Sequence, residues 1–75
     1  MQFNKHGNGK GHDDLYVLPE NELEITALVD YANNKGRTLK WIKSDVEGQA
    51  WYGKTFAVFP FGEHLRPEIE ALEAI

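Results

Sequence analysis

Ala50-Trp51-Tyr52-Gly53-Lys54-Thr55-Phe56-Ala57-Val58-Phe59-Pro60-Phe61 holds five of the chain's nine aromatic residues, and Trp41 upstream adds a sixth. Aromatic and β-branched side chains at this density fit a pleated, half-buried surface, so residues 49–59 are predicted to form a strand. Pro60 and Gly62 stop it. The strand is apolar on both sides, with Trp51, Ala57 and Phe59 alternating against Tyr52, Phe56 and Val58. Helices can cover only one of those sides in a two-layer fold. The other is either shielded by loops around a central strand or left as exposed aromatic surface.

Upstream, residues 37–45 read as a second strand, with Leu39 and Trp41 on one face and Lys40 and Ile42 on the other. A tight turn at Val46-Glu47-Gly48-Gln49 joins the two strands as an antiparallel hairpin. Ser44 and Glu47 have capping-box spacing, but Gly48 follows at once and no apolar helical stripe continues. Before this hairpin lies the strongest helix signal in the chain. Asn21 and Glu24 sit three apart, early acids suit the positive end of the helix dipole, and Gly36 suits a left-handed cap. Ile25, Leu28, Val29 and Ala32 recur at helical spacing, broadened by Leu23, Ala27 and Tyr31.

After the hairpin, Pro67 suits the first turn of a short helix, with Leu65, Ile69 and Leu72 as its stripe. Helices below about 12 residues are marginal alone, so this one must pack on the sheet. At the start of the chain, Leu15-Tyr16-Val17-Leu18 is a strand, and residues 1–6 are its hairpin partner. Only Phe3 anchors that first arm, which is expected to fray. Residues 1–12 thus read as a flexible arm or hairpin loop, the glycines at 7, 9 and 11 permitting positive φ. The fold class is α+β: one small two-layer domain spanning 1–75, with a three- to four-stranded antiparallel sheet and two helices, in the order (β)β-α-β-β-α.

Seventy-five residues, 41% of them hydrophobic, support one small core. Cysteine is absent, which removes disulfides and thiolate metal sites and suits a reducing cytoplasm. No apolar run resembles a signal peptide or a membrane span, the longest being residues 56–61. The expected setting is cytoplasmic. The net charge of −4 is segregated: residues 13–34 carry six acids and no base, whereas 35–54 carry five bases and two acids. Such a surface has fields of both signs.

Catalytic chemistry finds little support. Ser44, the one serine, stands beside Asp45 in a hairpin without a nucleophile elbow, and no spacing makes His64 its base. A domain this small also struggles to enclose a water-excluding pocket. Catalytic residues are therefore none, and the chain reads as no enzyme. Gly7-Asn8-Gly9-Lys10-Gly11 offers backbone donors but lacks P-loop spacing. His6 and His12 close that loop beside Asp13 and Asp14, yet alternate glycines leave such ligands without a rigid frame. A mobile polar loop is the simpler reading, so no metal and no cofactor are assigned.

Binding chemistry remains. Asp13, Glu20, Glu22 and Glu24 form an acidic set suited to a basic groove. Arg37, Lys40, Trp41, Lys43 and Tyr52 form a basic-aromatic set of the kind that makes interface hot spots. The edge of the 37–59 hairpin is open to a partner strand or to a second copy, giving a homodimer. Cations interleaved with aromatic residues over 37–54 also suit stacking with a single-stranded nucleic acid, but the acidic segment repels phosphates. In size, acidity and lack of catalytic residues the chain resembles small phage or mobile-element proteins that antagonise host defence systems. That resemblance is compositional and aligns no motif. It implies a non-enzymatic inhibitor or adaptor that occludes a protein partner, such as a defence or nucleic-acid-handling complex. Nucleic-acid binding through the hairpin is the alternative, and no membrane partner is expected.

Overall fold

The computed structural model describes residues 1–7, 13–45, 47–48 and 51–74. Four strands, β1 (Gln2–His6), β2 (Asp14–Leu18), β3 (Lys40–Lys43) and β4 (Thr55–Phe59), form one antiparallel sheet in the order β1-β2-β4-β3. Helices α1 (Glu22–Lys35) and α2 (Arg66–Glu70) complete the order β-β-α-β-β-α expected from the sequence. The helices lie on one face of the sheet, and among the described residues no helix covers the other.

Register explains the division of side chains. Val17 and Trp41 both oppose Ala57, while Leu15 opposes Phe59, so these residues share the helix-covered face. Leu15, Val17, Ala57 and Phe59 there pack with Leu28, Tyr31 and Ala32 of α1 and with Leu65 and Ile69. The Tyr31 ring meets Phe59 edge-on, with ring centres 6.1 Å apart. On the bare face, Leu18, Phe56 and Val58 form a smaller buried cluster under Tyr16 and Trp51.

That second cluster answers how β4 hides both its sides. It is a central strand, and Trp51 shields it from the loop. Residues 51–53 turn instead of extending β4, with Gly53 at φ 78° and its N–H donating to the Ser44 carbonyl at 2.9 Å. The turn breaks the expected alternation. Trp51 therefore lies beside Phe56 (5.4 Å between rings) rather than with Ala57 and Phe59, and its indole N–H donates to Gln2 Oε1 at 3.1 Å. Both hairpin strands are consequently shorter than predicted. Glu47 and Gly48 lie in a turn as expected, whereas Val46, Gln49 and Ala50 fall outside the described residues.

β1 does not fray among the described residues: it pairs with β2 along its whole length, and Met1 and Phe3 pack against the core. His6 adds a stacking contact on Tyr16. Asn8 to His12 of the glycine loop lie outside the described residues.

Local rules set α1. Asn21 Oδ1 accepts from the Glu24 N–H at 3.0 Å, and Gly36 closes the other end at φ 65°. Glu24 reaches back to the Glu20 N–H at 2.8 Å, one residue beyond the reciprocal partner of a capping box. The buried line is Leu28, Tyr31 and Ala32; Ile25 and Val29 stay partly exposed and Leu23 is 83% exposed. Tyr31 enters the core because α2 packs on that flank, where Lys35 pairs with Glu68 at 3.1 Å. The C-terminal helix is split into a 3-10 turn (Glu63–Leu65), α2, and a second 3-10 turn (Ala71–Ala74).

Candidate protein-binding edge

β3 is the outermost strand beside β4, and each of its residues is exposed. Its main-chain directions follow from Ser44. The Ser44 N–H donates to the Lys54 carbonyl at 3.1 Å, so Ser44 bonds inward, toward the strand that continues as β4. Antiparallel pairing alternates bonded and non-bonded residues. Ile42 and Lys40 thus bond inward as well, and Trp41 and Lys43 present their N–H and C=O groups outward. A fresh strand can add there.

The side chains of this edge point to both faces. Trp41 and Lys43 lie on the helix side; Lys40 and Ile42 lie on the bare side. Trp41 and Ile42 remain 39% and 43% exposed, large apolar groups on a strand with no outer neighbour among the described residues. Beside them on the bare face, Tyr16, Lys40, Ile42, Val58 and Phe61 line a shallow hollow of about 380 Å³.

Of the basic-aromatic set, Lys40, Trp41 and Lys43 therefore share one strand. Tyr52 is exposed in the turn at the Lys43 end. Arg37 stands at the Lys40 end, where its guanidinium donates to the carbonyls of Pro60 and Phe61 at 3.4 and 3.3 Å. Its role there is to tie the approach to β3 onto the exit of β4. Lys40 and Lys43 point to opposite faces, so cations and aromatic rings do not make one stacking platform.

The acidic set divides too. Glu20, Glu22 and Glu24 cluster at the start of α1, while Asp13 lies at the far end of β2, roughly 20 Å away along extended chain. Asp13 is engaged through its carbonyl, which accepts from the Glu63 N–H at 3.0 Å. Glu24 is occupied by the Glu20 N–H and by the Met1 ammonium at 3.1 Å. The hydrogen bond from the Glu20 N–H, reinforced by that ammonium, holds the Glu24 carboxyl below its usual range. Glu20 and Glu22 are the exposed acids of the group, Glu20 standing 3.9 Å from the Met1 ammonium.

A second hollow of about 380 Å³ on the bare face is lined by Asn4, His6, Tyr16, Ser44, Trp51 and Phe56. His6 stacks on Tyr16 with ring centres 5.6 Å apart, and Tyr16 meets Phe56 at 5.0 Å. His12, the second ligand of the metal reading, lies outside the described residues. Among the described residues no group of three or more metal-binding side chains comes together. No described helix is long and apolar enough to cross a membrane.

Ile42 and Phe61 belong to neither the acidic nor the basic-aromatic set expected from the sequence, yet both are exposed here. Ile42 was open to discovery: alternation places it opposite Trp41 across an edge strand, where only one face receives a helix. Phe61 carried no such signal, because its exposure follows from a left-handed φ of 57°. Compared with known proteins, the chain matches no family model, no curated protein and no solved structure.

Proposed function

We propose that this is a small non-enzymatic protein-binding module, an inhibitor or adaptor that occludes its partner's surface by taking an extended segment of it along β3. The open outer edge of β3, with Trp41 and Ile42 exposed on its two faces, carries the reading. Main-chain bonds at Trp41 and Lys43 supply affinity; the two large apolar side chains and the two lysines supply selectivity. The partner segment that fits best is extended, with acidic residues opposite Lys40 and Lys43 and small or apolar ones between. Occlusion needs no catalytic group, which accords with the antagonist role that the composition suggests. The absence of cysteine favours a cytoplasmic setting.

The test is affinity capture from source-cell lysate, with nuclease added, comparing the wild type with Lys43→Pro and Ile42→Lys. Proline removes only an outward N–H from an edge strand, and lysine at 42 charges the edge without entering the core. The expected result is one stoichiometric protein, retained by the wild type and lost at least tenfold with either variant, at unchanged melting temperature. Equal capture by all three proteins removes β3 from the proposal. Capture that disappears with nuclease favours the nucleic-acid alternative.

A further inference from the structure

We infer that the β3 edge also pairs with itself, two copies joining antiparallel about a two-fold axis through Ile42 to make one continuous sheet. The inference rests on the same open edge as the proposed function and names a second occupant for it.

Geometry restricts the ways two copies can meet. An axis perpendicular to the sheet keeps both helix layers on one side, so each residue faces another from the same side of the sheet. About Ile42, Trp41 faces Lys43 of the second copy, and Lys40 faces Ser44. Trp41 and Lys43 are the residues whose N–H and C=O groups point outward, so they form reciprocal bonded couples on either side of the axis. Ile42 then meets its own copy in a non-bonded position, with Cα atoms about 4.5 Å apart.

The side chains agree with this register. Each Lys43 ammonium comes beside an indole of the other copy, a favourable cation–aromatic pairing. Each Lys40 faces Ser44, and no lysine stands directly opposite another. On the bare face the two Ile42 side chains meet beside the hollow lined by Tyr16, Val58 and Phe61, which extends the apolar contact. Lys40-Trp41-Ile42-Lys43-Ser44 is thus complementary to itself. A register about Trp41 instead sets indole against indole and needs Leu39, outside β3, to form a bonded couple with Lys43, whereas Ser44 serves only as a non-bonded neighbour of Lys40. The other sheet edge offers no such match, because Phe3, the one large apolar residue of β1, faces the core.

A pair of short strands buries less than the ~1,200 Å² of a standard stable interface, so the association is reversible and depends on concentration. Self-pairing and partner binding exclude each other, since both use the outward groups of Trp41 and Lys43.

The test uses the purified full chain. Analytical ultracentrifugation across a hundredfold concentration range is expected to show monomer passing to dimer, with Lys43→Pro remaining monomeric. Because the chain has no cysteine, Ile42→Cys and Trp41→Cys introduce single thiols. The close Ile42 spacing falls within the ~4.4–6.8 Å that a disulfide spans. Mild oxidation should therefore link Ile42→Cys into dimers at least tenfold faster than Trp41→Cys. Faster linkage of Trp41→Cys overturns the register about Ile42. A monomer at every concentration, with no preference between the thiols, overturns self-pairing. If lysate capture still depends on Lys43, the proposed function survives that outcome; if it does not, both readings of β3 fall.

Discussion

Gly62 is where a single methyl group has the clearest consequence. A Cβ there would stand 2.6 Å from Phe59 Cβ and 2.9 Å from the Phe59 carbonyl oxygen, whose bond from the Gly62 N–H closes the turn. Phe59 is fully buried and cannot retreat. Gly62→Ala is expected to cost about 1–3 kcal/mol by overpacking. In a domain of this size each 1 kcal/mol lowers the melting temperature by about 4–8 °C, which calorimetry will read. An unchanged melting temperature would mean that the turn rearranges freely. In the sequence Gly62, with Pro60, reads as a strand stop. Its steric role was hidden, because the close approach to Phe59 belongs to the folded turn and to no local pattern. Asn21, Glu24 and Gly36 were legible for the opposite reason: a helix cap is satisfied within four residues.

At the start of α1, Glu24 is the acid that serves the fold itself. Glu24 binds the Glu20 N–H and the Met1 ammonium, and its carboxyl titrates below the usual value of 4.5. A lowered carboxyl pKa contributes stability that is present above 4.5 and is lost as pH falls through the folded-state value. Glu24→Gln should therefore lower the urea midpoint at neutral pH and converge with the wild type in acid. Parallel profiles at all pH values would show that the carboxylate contributes nothing. Charge reversal at Glu22 is accordingly the clean probe of this acidic cluster, whereas reversal at Glu24 would unsettle the helix itself. β3 and β4 were legible in kind but not in length. The turn at 51–53 is fixed by pairing between Ser44 and Gly53, a contact that propensity along one strand does not encode. For the same reason the alternation that sets Trp51 with Ala57 and Phe59 puts it on the wrong face.

Across the fold, the two sides of the sheet are both dry enough to act on their tyrosines. Tyr31, in the helix-side core, and Tyr16, on the bare side, have their hydroxyls pushed above the usual value of 10, by burial first and by Glu68 and Asp14 respectively. A raised phenol pKa gives stability that is full below 10 and is lost as pH rises through the folded-state values. Tyrosinate absorbance is expected to show a late-titrating component, reduced in Tyr16→Phe and in Tyr31→Phe. Its absence from the wild type would mean that water reaches both rings. The order of elements was legible because each has its own periodicity. The sheet order β1-β2-β4-β3 was not, since it depends on β2 and β4 meeting across the whole of α1 and β3.

The position of β4 bears on how the protein is born. This strand is the last of the four to leave the ribosome, yet it occupies the middle of the sheet, joined to β2 on one side and β3 on the other. Until Phe59 is free of the exit tunnel, the β1–β2 hairpin and α1 have no core to close upon. Such long-range pairing is slow compared with local contacts, and synthesis runs at about 5–20 residues per second. The sheet therefore closes in one step once residues 55–59 have emerged, rather than piece by piece as each earlier element leaves the ribosome. In that interval its aromatic residues are open to chaperones, and a stop codon placed ahead of residue 55 would release a chain with no sheet to complete.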